Sequence, residues 1–333
     1  MALKPWYTVV TPREDLRKGT PLDASEFAVH LDHVRRGTAP DDYTNPERFF
    51  GRTYLTKSLL DMASQVAKRL NGITTETSPI FNLSTQFGGG KTHSLTFLYH
   101  LAKVGKAGKG FIGIPDVLAR AGVEEVPVAS TAVFVGTEFS SVNGRTEGDG
   151  PQRLTPWGEI AYQIGGIQGY ELLREFDLKF IAPGGDDLDR LFGRDTPYLI
   201  LMDELLSYVS RHRKHNELGS QFYHFIQTLS EFVKGRTNIV LAVSLPKSEI
   251  EMTEEDQADF DRLKKMLDRV GKAIMLSEDK ETAQIVRRRL FDWYGLPDDA
   301  KKTISAYTSW VTENRSHISE SFDVNHAHTL FES

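Results

Sequence analysis

A glycine-rich turn between an apolar segment and an amphipathic segment constrains the fold of this chain more than any other feature. Residues 82–94 are NLSTQFGGGKTHS, in which three glycines, a lysine and a threonine follow one another. The segment before it, SPIFN (78–82), predicts a short buried strand, and THSLTFLYHLAKVG, after it, predicts an amphipathic helix. Ordering consecutive glycines costs backbone entropy. The turn therefore predicts a place where backbone N–H groups and the positive end of a helix dipole meet an anion.

The bulk composition excludes several classes of protein. The 333 residues carry a net charge of −6 with both signs mixed, so a general attraction to nucleic acid is not indicated. A hydrophobic fraction of 39% suits a large core and suggests two domains. The absence of cysteine excludes disulfides, thiolate zinc sites and cysteine nucleophiles. No apolar run reaches the roughly 20 residues of a membrane span, and the N-terminus lacks a signal peptide's apolar core, so we expect a cytoplasmic protein.

Strand-like and helix-like segments alternate along most of the chain. Helices are predicted at 23–37, 54–70, 155–166, 219–235, 254–271 and 279–295, and strands at 130–140, 196–204, 237–246 and 272–277. Residues 141–152 have the composition of a loop, and Thr155 followed by Pro156 predicts a capped helix start. Because the strands are apolar on both faces, the pattern predicts an α/β fold with a parallel sheet flanked by helices.

The glycine-rich turn matches most of the phosphate-binding pattern G-x-x-x-x-G-K-[ST]. Gly90, Lys91 and Thr92 match its end, whereas the first glycine would fall on Thr85, and the glycines before Gly90 can supply the missing flexibility. We expect backbone N–H groups to hold phosphate oxygens, Lys91 to reach the β- and γ-phosphates of ATP, and the Thr92 hydroxyl to ligate Mg²⁺. The alternative is a glycine-rich turn with a surface lysine.

A pair of carboxylates points to the same chemistry. The apolar segment YLILMDE (198–204) ends in Asp203 and Glu204. A carboxylate at the tip of a buried strand is costly unless a cation or hydrogen-bond donors are close, and ligands bind at the carboxyl edge of open parallel sheets. We expect Asp203 to hold Mg²⁺ through water and Glu204 to polarise the attacking water, which an NTP hydrolase needs and many kinases do not. The alternative is that these residues cap the following helix.

The order of these motifs resembles that of AAA+ type P-loop ATPases of the additional-strand class. More closely, the chain is similar to the large bacterial and archaeal ATPases named domain of unknown function 499 (DUF499). The segments that carry the resemblance are RFFGRTYLT (48–56), TQFGGGKTHSL (85–95), TPWGEIAYQIGG (155–166), APGGDDLDRLF (182–192), ILMDELLSYVSR (200–211) and VRRRLF (286–291). Members of that family are usually longer, and some lie beside DNA methyltransferase genes in clusters assigned to phage defence. The chain therefore resembles an N-terminal core or a truncated relative.

The resemblance implies a P-loop NTPase architecture. It implies a five-stranded central sheet in AAA+ order, with the strand that carries Asp203 beside neither edge. We expect an N-terminal extension packing on the core over residues 1–50, the ATPase core over 51–278, and the start of a helical lid or C-terminal region over 279–333.

The resemblance also suggests roles for residues outside the two motifs. FFGR (49–52) resembles the box that cradles the adenine, and the alternative is an ordinary helix entry with a structural arginine. Ser244, at the end of NIVLAVS, resembles the sensor that reads the γ-phosphate beside Glu204, and the alternative is a serine that supports the turn at Pro246. His93 faces either the phosphates or the next turn. The residues predicted to bind the nucleotide are Gly88, Gly89, Gly90, Lys91, Thr92, His93, Phe50, Gly51 and Arg52.

An AAA+ ring usually completes each site with an arginine from the neighbouring subunit, which resembles the arginine fingers of other phosphoryl-transfer enzymes. Arg262 and Arg269 lie on the predicted helix before the last strand, and we select Arg269; the alternative is that both are solvated and pair with acidic neighbours. The predicted catalytic residues are Glu204, Lys91, Ser244 and Arg269, the predicted metal ligands are Thr92 and Asp203, and the predicted cofactors are ATP and Mg²⁺.

Three other charged segments are less specific. SRHRKHNE (210–217) either contacts nucleic acid phosphates or forms a solvated loop. The consecutive arginines at 287–289 point in different directions around a helix, so at most two can face a nucleotide. HAH (326–328) is too short a run to define a metal site.

Three functions are compatible with these motifs. The favoured one is an ATPase that couples hydrolysis to a conformational change in a homo-oligomer or multi-protein complex, in phage defence or DNA modification. The second is a nucleotide-dependent switch or scaffold with little hydrolysis, which the missing first glycine favours. The third is a small-molecule phosphotransferase, which Glu204 disfavours. No membrane partner is expected, and nucleic acid binding stays open.

Overall fold

The contacts of the chain divide it into two units. The computed structural model describes residues 10–19, 29–83, 90–140, 142–213, 218–245, 252–274, 281–292, 300–319 and 322–328. The larger unit comprises Ala24–Gly51 and Leu55–Ser277, and the smaller unit comprises Met1–Asp23, Arg52–Tyr54 and Glu278–Ser333. All the candidate site residues except Arg52 therefore belong to the larger unit.

The described residues of the two units form the following strands and helices. In chain order, the strands are β1 (Thr11–Pro12), β2 (Ile80–Leu83), β3 (Ser130–Val135), β4 (Tyr198–Asp203), β5 (Ile239–Ser244), β6 (Lys272–Ile274) and β7 (Phe291–Asp292). The α-helices are α1 (Glu14–Arg17), α2 (Leu31–Arg36), α3 (Asp41–Thr44), α4 (Pro46–Arg52), α5 (Lys57–Leu70), α6 (Lys91–Val104), α7 (Ile114–Ala121), α8 (Pro156–Leu178), α9 (Gly185–Leu191), α10 (Leu205–His212), α11 (Leu218–Lys234), α12 (Glu254–Val270), α13 (Thr282–Leu290) and α14 (Ala300–Glu313). Short 3₁₀ helices cover Gly105–Gly110, Arg315–His317 and Val324–His326. No helix in these described ranges is long and apolar enough to cross a membrane.

Five strands of the larger unit form one parallel sheet in the order β3-β4-β5-β2-β6. This confirms the prediction of an α/β fold with a five-stranded parallel sheet flanked by helices. The strand that carries Asp203, β4, is interior, but it lies directly beside the edge strand β3. The expectation that it would lie beside neither edge is therefore wrong, because β3 is the last strand on that side.

Helices cover both faces of the sheet, and the strands alternate between two cores. In β5, Val240 and Ala242 belong to one apolar cluster, together with residues of α5, α6 and α7. Ile239, Leu241 and Val243 belong to the other, together with residues of α8, α10, α11 and α12. Every residue of β2, β4 and β5 is buried, which explains why these strands are apolar without a polar face.

Residues before the glycine-rich turn contribute to the core of the larger unit. Leu31, Val34, Tyr43 and Phe49 are buried in one apolar cluster with residues of the sheet. In the smaller unit, Met1–Asp23 group with Glu278–Ser333. The predicted division into residues 1–50, 51–278 and 279–333 stays a prediction.

The smaller unit contains a short antiparallel pair of strands. Thr11 and Pro12 of β1 pair with Asp292 and Phe291 of β7. The Arg13 guanidinium donates to the Arg288 carbonyl through Nε at 3.3 Å and Nη2 at 3.1 Å. Helix α13 ends at Leu290, and β7 begins at the next residue, Phe291. The helix is therefore shorter than the one predicted for 279–295.

Helix α8 begins as the sequence predicts, because the Thr155 side chain accepts a hydrogen bond from the Gly158 N–H and Pro156 occupies the first turn. The predicted end at residue 166 is a kink, where Gly166 has a φ of 61° and the helix then continues to Leu178. Gln163 on α8 covers the edge strand β3: its side chain accepts from the Val133 N–H and donates to the Val133 carbonyl, each at 2.8 Å. A side chain thus replaces the neighbouring strand that β3 lacks on this side.

A buried ion network fixes α2 and the segment after β3 against α8. The Glu159 carboxylate on α8 accepts from Arg145 Nη1 at 3.3 Å and Arg153 Nε at 3.0 Å, and Arg145 Nη1 also donates to Asp32 on α2 at 2.8 Å. Asp32, Arg153 and Glu159 have no exposed surface. Arg145, within the segment predicted as a loop, also pairs through its backbone with Arg153, which directly follows that segment, at 2.8 Å in both directions.

We expect Glu159→Gln to lower the free energy of unfolding by about 3–5 kcal/mol, because it leaves a buried guanidinium without the carboxylate that it contacts. Chemical denaturation measures this change. Glu175→Gln is the matched control on the same helix: Glu175 is solvent-exposed and pairs with Lys179 at 2.9 Å, so its removal should change stability little. Equal effects of the two substitutions would contradict a structural role for the buried network.

Candidate functional site

The strand register brings the predicted motifs to one edge of the sheet. Val135 of β3 pairs with Asp203 of β4, and Met202 pairs with Val243 of β5. Ser244 at the end of β5 pairs with Leu83, the last residue of β2. Because all these strands are parallel, Asp203, Ser244 and the start of the glycine-rich turn lie together at the carboxyl edge.

Helix α6 begins at this edge with a glycine in a left-handed conformation. Gly90 has a φ of 91° and a ψ of 0°, which L residues with a side chain rarely adopt. No side chain caps the helix, and no acidic residue lies in its first turn. Lys91 is the first helical residue, at the positive end of the helix dipole, where an anion stabilises the positive charge. Gly88 and Gly89, with Thr85, lie outside the described residues, so their predicted roles stay predictions.

Asp203 is the centre of the site. Only 2% of its surface is exposed. The Thr92 hydroxyl on α6 donates to Asp203 Oδ2 at 2.8 Å, and the Ser244 hydroxyl on β5 donates to Asp203 Oδ1. The Glu204 N–H donates to the same Oδ1 at 3.1 Å. Donors on α6, on β5 and at Glu204 thus bind both oxygens of the Asp203 carboxylate. A buried carboxylate needs such donors.

Glu204 has an unusual backbone conformation between β4 and α10. Its φ of 55° and ψ of 41° are left-handed, which costs a non-glycine residue about 1–3 kcal/mol. It occupies the N-cap of α10 without a side-chain capping bond, so capping, the alternative function for this carboxylate, does not account for its side chain. Strained positions of this kind concentrate at functional sites.

The charges around Glu204 oppose one another. Burial and the neighbouring Asp203 charge raise the pKa of Glu204 above its ordinary value of 4.5, whereas the Lys91 ammonium and a hydrogen bond from the Ser207 side chain lower it. The Glu204 carboxylate is therefore subject to the field of a lysine as well as that of a second carboxylate.

The oxygen ligands at this edge fit Mg²⁺. Mg²⁺ prefers hard oxygen ligands and is usually held by one or two side chains together with water and phosphate oxygens. The Thr92 hydroxyl and the Asp203 carboxylate, 2.8 Å apart, are such ligands. Within the described ranges, no group of three or more His, Asp or Glu side chains is arranged to hold a metal ion by protein ligands alone. A metal held by these two residues would therefore need further oxygen ligands from water or from a bound molecule.

The predicted adenine box lies in a different environment from the phosphate side. Phe50 is 1% exposed and packs against Phe97, with ring centroids 5.0 Å apart, so its side chain is a core residue. The His93 ring lies 4.6 Å from the Phe49 ring and therefore faces α4. Gly51 and Arg52 are half-buried at the end of α4, and their contacts with the base stay predictions.

Arg269 and Arg262 both lie against α11. Arg269 Nη2 donates to Glu231 at 2.5 Å, and both side chains are largely exposed. The Arg262 guanidinium lies 3.9 Å from the centre of the Tyr223 ring. Arg269 precedes the start of β6 and therefore lies at the amino end of the strands, opposite Asp203. The structure does not bring Arg269 together with the other site residues of the same chain.

The basic segment after β4 is not a solvated loop in its described part. Residues 210–212 belong to α10, and Lys214, His215, Asn216 and Glu217 lie outside the described residues. His212 is buried, and its ring lies 4.0 Å from that of Tyr208. Arg213 pairs with Glu255, Asp256 and Asp259 on or near the first turns of α12. His212 therefore packs in the core and Arg213 forms ion pairs. A helical pattern over residues 204–213 could have indicated that these residues do not form a loop.

The sequence analysis missed Gly136, Ser207 and Arg211, which lie around Glu204. Gly136 directly follows β3, and a Cβ built on it would lie 2.2 Å from the Glu204 carbonyl oxygen. Ser207 and Arg211 follow Glu204 at intervals of three and seven residues, which places them on one helix face. Two features of the sequence could have indicated these residues: a glycine directly after an apolar strand, and the helical spacing after Glu204.

We expect Glu204→Gln to stabilise the fold at neutral pH, and the gain to disappear in acid. Because the folded-state pKa is raised, ionised Glu204 reduces stability above that pKa, and the reduction is absent below 4.5, where both states are protonated. Thermal unfolding at about pH 4 and about pH 8 measures the difference. Glu175→Gln is the control of opposite sign, because the Lys179 hydrogen bond lowers the pKa of Glu175. A pH-independent difference would contradict the raised pKa.

The comparison with known families agrees with the DUF499 resemblance. The model of the DUF499 N-terminal domain matches residues 11–280. No curated protein matches the chain. Because the matched segment covers most of the 333 residues, the chain belongs to the DUF499 N-terminal domain family.

Proposed function

We propose that the larger unit binds ATP with Mg²⁺ and hydrolyses it, as the ATPase core of an assembly that changes conformation on turnover. The observation that carries this proposal is the hydrogen bond between the Thr92 hydroxyl and Asp203 Oδ2 at 2.8 Å. It joins the end of the phosphate-binding pattern to the carboxylate pair, which are 111 residues apart in sequence. Either motif alone is less specific than the two in contact.

The strand order supports the AAA+ resemblance. Strand β5 lies between β2, which leads into the glycine-rich turn, and β4, which ends in Asp203. A strand in this place is the additional strand after which the class is named. Ser244 lies at the end of β5 and touches Asp203, which is compatible with the proposed reading of the γ-phosphate at this position.

Each side chain has a separate role in the proposed hydrolysis. Lys91 and the N–H groups at the start of α6 bind phosphate oxygens, and Thr92 and Asp203 hold Mg²⁺, which neutralises charge on the phosphates when bound. Glu204 holds the attacking water and accepts its proton as oxygen bonds to the γ-phosphorus and the bond to the β-phosphate oxygen breaks. The products are ADP and inorganic phosphate.

We expect Lys91→Ala to abolish ATP binding and Glu204→Gln to keep binding but stop turnover. Losing the Lys91 charge leaves phosphate oxygens unpaired, at about 2–5 kcal/mol. An amide at 204 keeps the shape but accepts no proton, and a lost general base lowers the rate by about 10²-fold or more. Calorimetric titration with ATP and a steady-state ATPase assay measure the two effects.

The matched control is Lys103→Ala, which removes the same charge from the last turn of the same helix. Unchanged affinity in Lys91→Ala would contradict the phosphate site. Tight binding without turnover in the wild type, under conditions that allow assembly, would instead indicate a nucleotide-dependent switch. Retained hydrolysis in Glu204→Gln would move the catalytic role to another residue.

We propose that Arg269 acts at the site of a neighbouring copy, because it lies at the opposite end of the strands from Asp203. Turnover per chain should then rise with protein concentration, and Arg269→Ala should lower the rate but not the affinity for ATP. Releasing the exposed Glu231 pair costs less than about 1 kcal/mol, so the arginine is available to a partner.

Mixing Arg269→Ala chains with Glu204→Gln chains provides the decisive assay. An interface between the two variants can carry an intact Arg269 and an intact Glu204, so activity should partly return. Arg262→Ala is the control, since its guanidinium lies on the Tyr223 ring. A concentration-independent rate, together with wild-type behaviour of Arg269→Ala, would rule out a shared site.

A further inference from the structure

The backbone of Glu204 is fitted against the end of the edge strand. Gly136 follows β3, its N–H donates to the Asp203 carbonyl at 2.8 Å, and its α-carbon faces the Glu204 carbonyl. A Cβ at position 136 would lie 2.2 Å from that carbonyl oxygen and 3.1 Å from Tyr208 Cβ. Since backbone atoms cannot move aside as a flexible side chain can, only glycine allows this approach.

Arg211, on α10, connects Gly136 to its own helix. Its Nη2 donates to the Gly136 carbonyl, and its Nε donates to the Ser207 carbonyl at 3.1 Å. One guanidinium thus connects the segment after β3 to the helix that begins directly after Glu204. Its rigid planar arrangement of donors can satisfy two carbonyls at once, which a lysine ammonium does less well.

The Glu204 amide is held by the neighbouring strand ends. The Glu204 N–H donates to Asp203 Oδ1 at 3.1 Å and lies 3.4 Å from the Ser244 hydroxyl. The amide and the carbonyl of Glu204 therefore have separate contacts, the amide with Asp203 and the carbonyl with Gly136.

We propose that Gly136 and Arg211 are positioning residues that hold Glu204 in its left-handed conformation at the carboxyl edge of the sheet. This inference rests on the proposed function, in which Glu204 holds the attacking water. A left-handed glutamate relaxes toward ordinary helical or extended angles unless its surroundings prevent it. Arg211 prevents it by keeping Gly136 against the Glu204 carbonyl, although Arg211 itself is exposed.

The test compares Arg211→Met with Arg213→Met. Both residues are arginines at the end of α10, but Arg213 pairs with Glu255, Asp256 and Asp259 and does not contact Gly136 in the described structure. Arg211→Met should lower kcat by about 10²-fold, because small misplacements of a catalytic group cost that much, while the affinity for ATP stays unchanged. Arg213→Met should lower the melting temperature more and kcat less.

The outcomes separate this inference from the proposed function. If Glu204→Gln stops turnover while Arg211→Met keeps the wild-type rate, the positioning role is wrong and the proposed function stands. If Arg211→Met and Arg213→Met lower kcat in proportion to their loss of melting temperature, Arg211 is merely structural. If Glu204→Gln itself retains the wild-type rate, the proposed function fails and the positioning role fails with it.

Discussion

The buried carboxylate of Asp203 is the interaction on which the rest of the site depends. An ionised carboxylate with 2% exposure is unstable by several kcal/mol unless donors or a cation compensate it. The hydroxyls of Thr92 and Ser244 and the N–H of Glu204 supply this compensation. These donors come from the start of α6, the end of β5 and the residue after β4. Removing the carboxylate would therefore leave three segments without the atom that holds them together.

The parallel sheet makes this convergence geometrically simple. Parallel strands end at the same edge, so a residue at each strand end meets the others without any special loop. The register sets Asp203 beside Ser244 and Ser244 beside Leu83, directly before the glycine-rich turn. The helix that follows the turn then returns beneath the sheet with its positive end at the same edge. The positive end of this helix and the ends of β4 and β5 therefore lie at the same edge of the sheet.

Glu204 is where local backbone preference and the rest of the structure disagree. A glutamate prefers helical or extended angles, yet this one is left-handed and half-buried beside a second carboxylate. Such disagreements persist only where surrounding contacts enforce them, and they concentrate at functional sites. The contact here is with Gly136, which directly follows β3, and Arg211 donates to the Gly136 carbonyl. The buried ion network of Asp32, Arg145, Arg153 and Glu159 in turn fixes the segment that follows that strand.

The sequence by itself determined the strands of the parallel sheet, several of the helices and the residue types at the strand ends. Apolar runs gave the buried strands, and the glycine turn with Lys91 and the Asp203–Glu204 pair located the strand ends where charge would collect. These features are local, because propensity and periodicity act over a few residues. The tertiary structure alone decided that β4 lies beside the edge strand, that Phe50 is a core side chain and that Arg269 lies at the far end of the strands. It also decided that Gly136 and Arg211 meet beside Glu204. Strand order and register depend on contacts between residues tens to hundreds of positions apart, and no short segment of sequence carries that information.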